Sequence, residues 1–204
     1  SRCSRVPGRL CERGDILSAA IGQARWLVVG LGNPGPEYVE TRHNLGFAVV
    51  ERLAAIAGGV FASRGFQCEV SLIRLAATSA LLLKPQTFMN RSGAAVSEWI
   101  ERLGLSPADL VVAHDDLDLP LGRIRIGAGA GPGGHRGVLS IQEWLGTREF
   151  ARLRIGIGRP ETGEAAADRV LTEFRKDEAP LVAEVVDRCA AALCCLGREG
   201  AATA

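Results

Sequence analysis

The sequence predicts an α/β fold: a single three-layer domain with a central mixed, largely parallel twisted sheet and helices on both faces. Short apolar runs of strand type alternate along the chain with longer segments in which apolar residues recur at helical spacing. Some runs, such as Ala-Leu-Leu-Leu at 80–83, are apolar throughout, which is typical of strands buried on both faces. The 204 residues and 47% apolar composition suffice for one domain with a full hydrophobic core.

The apolar pattern in the first half of the chain predicts three strands and two helices. The Gly58-Gly59 pair ends the first helix, and Pro85 ends the third strand. Ser92 is expected to cap the second helix through its hydroxyl group. In order, the predicted elements are a strand at 26–30, a helix at 47–57, strands at 66–75 and 79–84, and a helix from Ser92 to about 103.

The second half continues the alternation. A glycine-rich loop at 127–134 separates a short alternating strand from the next helix, and such a loop lets backbone approach a ligand. Asp115 and Asp116 are expected to follow the strand that ends at His114. The predicted strands are 110–114, 122–126 and 153–157, and the predicted helices are 137–145, 166–174 and 178–196.

The net charge of +1 is unevenly distributed. Residues 123–159 contain seven Arg and two Glu, which gives 7 − 2 = +5 there and 1 − 5 = −4 elsewhere. A localised basic segment on a nearly neutral protein favours a localised anionic partner, although a solvated strand and helix face would give the same pattern.

The six cysteines show no short C-x-x-C spacing, and no secretory segment is present, so we expect reduced thiols. Cys189 and Cys194 are expected in the core. No apolar run approaches the ~20 residues that span a bilayer. We therefore expect a soluble, cytoplasmic protein that does not interact with membranes.

Residues 1–24 differ in composition from the rest of the chain. Four arginines and several small residues are typical of an organellar transit peptide, which would place the protein in an organellar matrix, but Glu12 and Asp15 argue against it. We expect a disordered extension at 1–24 and the folded domain at 25–204.

The turn after the first strand, Gly30-Leu-Gly-Asn-Pro-Gly35, superficially matches the GxGxxG dinucleotide fingerprint. Pro34 and Pro36 remove two backbone donors that a phosphate cradle would use, and helical spacing starts only near Phe47. A nicotinamide or flavin site is therefore disfavoured.

Polar side chains follow three of the predicted strands: Asn33 with His43, then Asn90, then Asp115. A His beside a carboxylate can act as a general base, and an Asn amide can orient water or stabilise an oxyanion. Each of these residues alone is better explained as a loop, helix-entry or turn former, but three at strand ends favour a site. No Ser or Cys has the context of a nucleophile, so water is expected to attack. His114 and His135 are expected to be structural, the latter anchoring the glycine-rich loop.

Five ordered motifs between about residues 26 and 196 resemble those of the bacterial-type peptidyl-tRNA hydrolases. The motifs are Gly30-Leu-Gly-Asn-Pro-Gly with Thr41-Arg-His-Asn, Lys84-Pro-Gln-Thr-Phe-Met-Asn90, His114-Asp-Asp-Leu-Asp-Leu-Pro, Gly133-Gly-His-Arg-Gly137 and Leu153-Arg-Ile-Gly-Ile-Gly-Arg-Pro160. The resemblance implies hydrolysis of the ester between a peptide and the terminal ribose of tRNA, by a monomer without metal or organic cofactor.

The resemblance also implies residue roles. His43 would be the base, Asp115 would orient and stabilise it, and Asn90 would hold water and the substrate carbonyl. Asn33 would contact the peptide main chain. The remaining implied contacts are Tyr38 and Phe88 with substrate, and Arg154 with tRNA phosphate. Arg136 is expected to bind substrate on different grounds, since it lies between the glycine-rich loop and the next helix, where it would overhang the cleft.

Two positions depart from the family pattern. Arg136 stands where relatives often have Asn, so its substrate contacts cannot be transferred. Gly127 stands where many have a phosphate-binding Lys, and Arg125, two residues earlier on the same strand face, is the expected substitute. Two other functions remain open: a noncatalytic relative that binds RNA, against which the intact His43, Asn90 and Asp115 argue, and a metabolite hydrolase, which the basic segment disfavours.

Overall fold

The structure is a computed structural model that describes residues 21–65, 67–75, 78–160 and 165–199. Most of the extension expected at 1–24 therefore lies outside the described residues. Ile21 and Ala24 are buried against the core, so ordered packing starts before residue 25.

One seven-stranded sheet forms the centre of the domain. Its strands are β1 Trp26–Gly30, β2 Ala62–Arg64, β3 Cys68–Leu75, β4 Thr78–Pro85, β5 Leu110–Asp116, β6 Ile124–Gly127 and β7 Ala151–Gly156. Their order in the sheet is β2-β3-β4-β1-β5-β7-β6, in which the central strands β4, β1, β5 and β7 are parallel and the outer pairs are antiparallel.

Helices cover both faces of the sheet, which confirms the predicted three-layer α/β fold. Alternate residues of β1 enter two separate hydrophobic clusters, Val28 on one face and Leu27 on the other. The fully buried Cys189 lies in the cluster with Val28. The helices are α1 Leu45–Ile56, α2 Ser92–Leu103, α3 Arg136–Leu145, α4 Ala166–Val170 and α5 Ala179–Glu199.

Several predicted bounds were wrong for identifiable reasons. The helix expected at 166–174 stops at Val170, because the backbone of Thr172 accepts the N–H of Arg42 and Glu173 bridges Thr41. Ser92 does not cap α2: its hydroxyl group donates to the carbonyl of Met89, in a 3-10 turn that precedes the helix. The short exposed strand β2 had not been predicted.

β5 continues two residues beyond the predicted end at His114, so Asp115 and Asp116 belong to the strand itself. Their side chains therefore point to opposite faces of the sheet. Within the described ranges, none of the helices combines the length and apolar composition that a membrane span requires.

Candidate active site

His43 lies in the 3-10 turn Arg42–Asn44, which leads directly into α1. Glycines allow this turn to approach the sheet. A Cβ on Gly30, at the end of β1, would clash with the backbone of Gly46 in the first turn of α1. A Cβ on Gly46 would clash with the carbonyl of Ala113 in β5. The start of α1 therefore packs against β1 and β5, and His43 reaches the carboxyl end of β5.

The imidazole of His43 is hydrogen-bonded to the carboxylate of Asp115. Its Nδ1 lies 2.9 Å from Oδ1 and 3.0 Å from Oδ2, and both side chains are buried. Since a carboxylate can only accept, we assign the ring proton to Nδ1, which leaves the lone pair on Nε2. His43 thus has the tautomer that a general base needs at Nε2.

His135 is a second histidine bound to the same carboxylate. Its Nε2 lies 3.0 Å from Oδ1 of Asp115, while its Nδ1 accepts the N–H of Val138 at 3.3 Å as the N-cap of α3. The structural role expected for His135 stays a prediction; the cap at the end of the glycine-rich loop also turns its ring towards β5, a contact that had not been predicted. The ring centroids of His43 and His135 are 4.9 Å apart. The only sequence signal was its place in the Gly133–Gly137 motif.

Asp115 is ionised in this arrangement. Burial alone would raise its pKa, but electrostatic attraction to His43 and His135 and the hydrogen bonds from both rings outweigh the burial and hold the pKa well below its ordinary value. A negative charge therefore lies beside both histidines.

Asn33 is held in place by backbone and side-chain hydrogen bonds. Its N–H donates to Oδ1 of Asn44 at 2.8 Å, and Nδ2 of Asn44 donates to the Asn33 carbonyl at 3.0 Å. The side-chain Oδ1 of Asn33 accepts the N–H of Met89 at 3.0 Å. The Nδ2 group of Asn33 is therefore the donor left for a ligand. Sequence reasoning had missed this supporting role of Asn44.

A cavity of about 700 Å³ opens beside the buried histidines. Its walls include the strand ends with Asn33 and Asp115, the turn around Asn90, the glycine-rich loop with the start of α3, the short helix α4, and Arg159 after β7. The lining residues include Asn33, His43, Phe88, Asn90, Asp115, His135, Arg136, Ala167, Val170 and Leu171. Five residues predicted to act in catalysis or substrate binding therefore line the same cavity as His43, namely Asn33, Phe88, Asn90, Asp115 and Arg136. The half-buried Tyr38, which was also predicted to bind substrate, is not part of this lining.

Arg125 and Arg154 occupy opposite positions of the antiparallel β6–β7 pair, so their side chains share one face of the sheet. Arg125 is exposed, whereas Arg154 donates from Nε to Oδ2 of Asp116 at 2.5 Å. Gly127 lies opposite Arg152. Asp116 lines the cavity, and Arg154 is bound to Asp116. Arg154 and its neighbour Arg125 therefore lie at the border of the cavity, although neither belongs to the lining.

His114 is buried and belongs to the lining of the same cavity. Its Nδ1 donates to the carbonyl of Asp115 at 2.8 Å, and its ring meets that of His135 edge-on at 4.7 Å. Burial, followed by repulsion from His135, places its pKa well below the ordinary value. His114 is therefore neutral, as a structural residue should be.

Among the residues that the structure describes, His43, Asp115 and His135 form a group with metal-ligand spacing, and their ligand atoms lie within 4.8 Å of one another. The nitrogen–oxygen separations of 2.9 and 3.0 Å are those of hydrogen bonds. Tetrahedral zinc with bonds of about 2.1 Å would need ligand atoms about 3.4 Å apart. The observed geometry fits a carboxylate with two imidazole donors.

Comparison with known proteins identifies similar chains. A family model described as peptidyl-tRNA hydrolase matches residues 27–204. A curated peptidyl-tRNA hydrolase from Geobacter sp. strain M21 is 46% identical over 174 residues, which covers 85% of this chain and 92% of that protein. A protein of the same name from Thermus thermophilus is 46% identical over 175 residues, with coverage of 86% and 91%.

Solved structures agree in fold. A crystal structure of a peptidyl-tRNA hydrolase in complex with N-propanol has a TM-score of 0.81 and 35% identity, covering 87% of this chain and 90% of that chain. A peptidyl-tRNA hydrolase from Acinetobacter baumannii has a TM-score of 0.78 and 38% identity, with coverage of 81% and 85%.

Proposed function

Because this chain belongs to the peptidyl-tRNA hydrolase family, we propose that it hydrolyses the ester between peptide and tRNA with His43 as the general base. The observation that carries the proposal is the contact of His43 Nδ1 with both oxygens of Asp115. This contact favours a lone pair on Nε2, the ring atom that can take a proton from water in the cavity.

The reaction then proceeds in two proton transfers. His43 Nε2 accepts a proton from water as the water oxygen attacks the ester carbonyl carbon, and the negative Asp115 stabilises the imidazolium that results. The bond between the carbonyl carbon and the ribose oxygen breaks, and the imidazolium returns its proton to that oxygen. The products are a peptide with a free carboxyl group and tRNA with a free terminal hydroxyl group.

Asn90 and Asn33 supply the uncharged polar groups that this chemistry needs. Asn90 orients the water and donates to the developing oxyanion, since an amide can do both without titrating. The Nδ2 group of Asn33 donates to a main-chain carbonyl of the peptide, because Met89 already occupies its Oδ1. Phe88, which is 58% exposed at the cavity wall, offers an apolar surface to the substrate.

The arginines bind the tRNA backbone in this proposal. Arg125 and Arg154 face the same side of the sheet at the border of the cavity, a spacing that suits a shared phosphate. Arg125 takes the role of the Lys that relatives have at position 127. Arg136 is exposed at the start of α3 and lines the cavity, where a permanent cation with five donors binds a phosphate near the acceptor end.

One experiment tests the function as a whole. The protein is incubated with N-acetyl-aminoacyl-tRNA and, separately, with unblocked aminoacyl-tRNA, and release of free tRNA is followed. Rapid release from the blocked ester alone is expected, because only that substrate offers Asn33 a main-chain carbonyl. Binding without turnover would instead support an RNA-binding role, and cleavage of small esters without tRNA would support a metabolite hydrolase.

A further inference from the structure

Arg42, the residue before His43, is a fully buried arginine. Its Nη2 donates to Oε2 of Glu178 at 2.5 Å, and its Nε donates to the hydroxyl group of Thr172 at 3.3 Å. The guanidinium also lies over the ring of Phe174, 4.5 Å from its centroid. Three side chains from one segment of the chain thus enclose the neighbour of the base.

The backbone connects the same two segments. The N–H of Arg42 donates to the carbonyl of Thr172 at 3.0 Å, and Thr41 forms an isolated antiparallel bridge with Glu173. The segment that contains Thr172 follows directly from α4, whose Ala167 and Val170 line the cavity together with Leu171. One continuous stretch therefore provides a cavity wall and then the partners of Arg42.

Stability alone does not account for a buried ion pair at this place. The desolvation of two charges offsets much of their attraction, so well-packed apolar side chains of similar volume often give equal stability. What an ion pair with hydrogen bonds adds is a fixed direction, because the planar guanidinium of Arg42 is held at two of its nitrogens, with Nη2 donating to Glu178 and Nε donating to Thr172. The turn that Arg42 fixes in this way also carries His43.

We propose that the Arg42–Glu178 pair is a positioning device that keeps Nδ1 of His43 aligned on Asp115 and Nε2 directed at the substrate, and that couples this alignment to the cavity wall formed by α4. The proposal rests on the proposed function of His43 as base. Neither Arg42 nor Glu178 touches substrate; both act through the turn.

The test replaces the buried pair by apolar side chains of similar volume, as Arg42→Met/Glu178→Met, so that no unpaired charge remains inside. A second pair provides the control: Arg52 and Asp187 join α1 to α5, the helices that follow Arg42 and Glu178, but their side chains are 47% and 56% exposed. The control variant is Arg52→Met/Asp187→Met. Each variant is measured for its unfolding midpoint in urea, for kcat and KM on N-acetyl-aminoacyl-tRNA, and for the imidazole N–H signals in the proton NMR spectrum.

The buried double variant is expected to unfold near the wild-type midpoint and to keep KM, while kcat falls about 10- to 100-fold from misplacement of the base. The downfield signal of the proton shared by His43 and Asp115 should weaken or disappear. The control variant should keep all four properties. A folded buried variant with wild-type kcat and an unchanged imidazole signal would overturn the proposal, as would an equal loss of kcat in the control.

Glu178→Gln covers the case in which the double variant does not fold. It keeps an oxygen that accepts from Arg42 but removes the charge, so a smaller loss of kcat in the same direction is expected, and wild-type kcat and NMR signal would overturn the proposal. His43→Ala distinguishes a failure of the proposed base from a failure of the proposed positioning role. Wild-type turnover in His43→Ala refutes the base itself, whereas an inactive His43→Ala beside a fully active buried variant refutes the positioning role alone.

Discussion

Replacing Asp115 by Asn tests the tautomer on which the mechanism depends. In the structure one carboxylate accepts from Nδ1 of His43 at 2.9 and 3.0 Å and from Nε2 of His135 at 3.0 Å. An amide offers one oxygen and one NH₂ group, so it cannot accept from both rings in the same way. If its NH₂ group faces His43, the ring must carry its proton on Nε2, and the lone pair is then turned away from the substrate.

The expected fall in kcat of Asp115→Asn follows from two properties of the site that the variant lacks. The variant loses both the correct tautomer of His43 and the negative charge that stabilises the imidazolium, so kcat should fall by about 10²–10⁴-fold. The affinity for tRNA should change little, because Asp115 is buried and its carboxylate is occupied by the two histidines. The assay is single-turnover release of tRNA from N-acetyl-aminoacyl-tRNA, with binding measured separately.

Asp116→Asn is the matched control, since it makes the same chemical change at the adjacent residue of β5. Asp116 pairs with Arg154 and points to the other face of the sheet, so its variant should alter KM and leave kcat close to wild type. An Asp115→Asn protein that is folded and retains wild-type kcat would refute the assignment of the proton to Nδ1.

The remaining predictions concern tRNA contacts and pH. Arg154→Ala and Arg125→Ala should each raise KM and flatten the salt dependence of binding by about one phosphate contact; an unchanged salt slope in Arg125→Ala would eliminate it as the substitute for the Lys of relatives. Arg136→Asn should keep turnover but weaken apparent affinity for blocked aminoacyl-tRNA, with no effect on a blocked aminoacyl ester of a phosphate-free nucleoside; equal losses on both substrates would place Arg136 on the peptide side. His114 has a lowered pKa in the fold and an ordinary one of about 6.5 when unfolded, so its contribution to stability is complete above about pH 6.5 and falls below it by up to about 1.4 kcal/mol per pH unit. Urea unfolding at about pH 7.5 and about pH 5.5 should show this slope in the wild type and less of it in His114→Gln; equal slopes would contradict the assignment.

The parallel centre of the fold was predictable because its strands are fully buried. Runs such as Leu110 to Ala113 are apolar throughout, and this composition is typical of strands covered on both faces. The site was predictable for a related reason. Parallel strands end at one edge of the sheet, so the polar residues after β1, β4 and β5 had to come close together. His43, Asn33, Asn90 and Asp115 follow from that argument.

Contacts between distant segments were not predictable from the sequence. Nothing in the local pattern shows that Arg42 is buried, because its partner Glu178 lies 136 residues away. Backbone contacts between the same two segments end α4 at Val170, because Thr172 accepts the N–H of Arg42 and Glu173 bridges Thr41, whereas the apolar spacing alone continues to 174. The contact of His135 with Asp115 was not predictable either, because its ring direction depends on how the glycine-rich loop enters α3, and the backbone of glycine can adopt many conformations.

The most direct test of the central claim is the single-turnover rate of His43→Ala on N-acetyl-aminoacyl-tRNA, measured beside the equilibrium affinity of the same variant for tRNA. The proposed mechanism predicts a rate lower by about 10²–10⁴-fold, the contribution of a positioned base, with the affinity nearly unchanged. A His43→Ala protein that binds tRNA normally and releases it from the blocked ester at the wild-type rate would show that His43 is not the base.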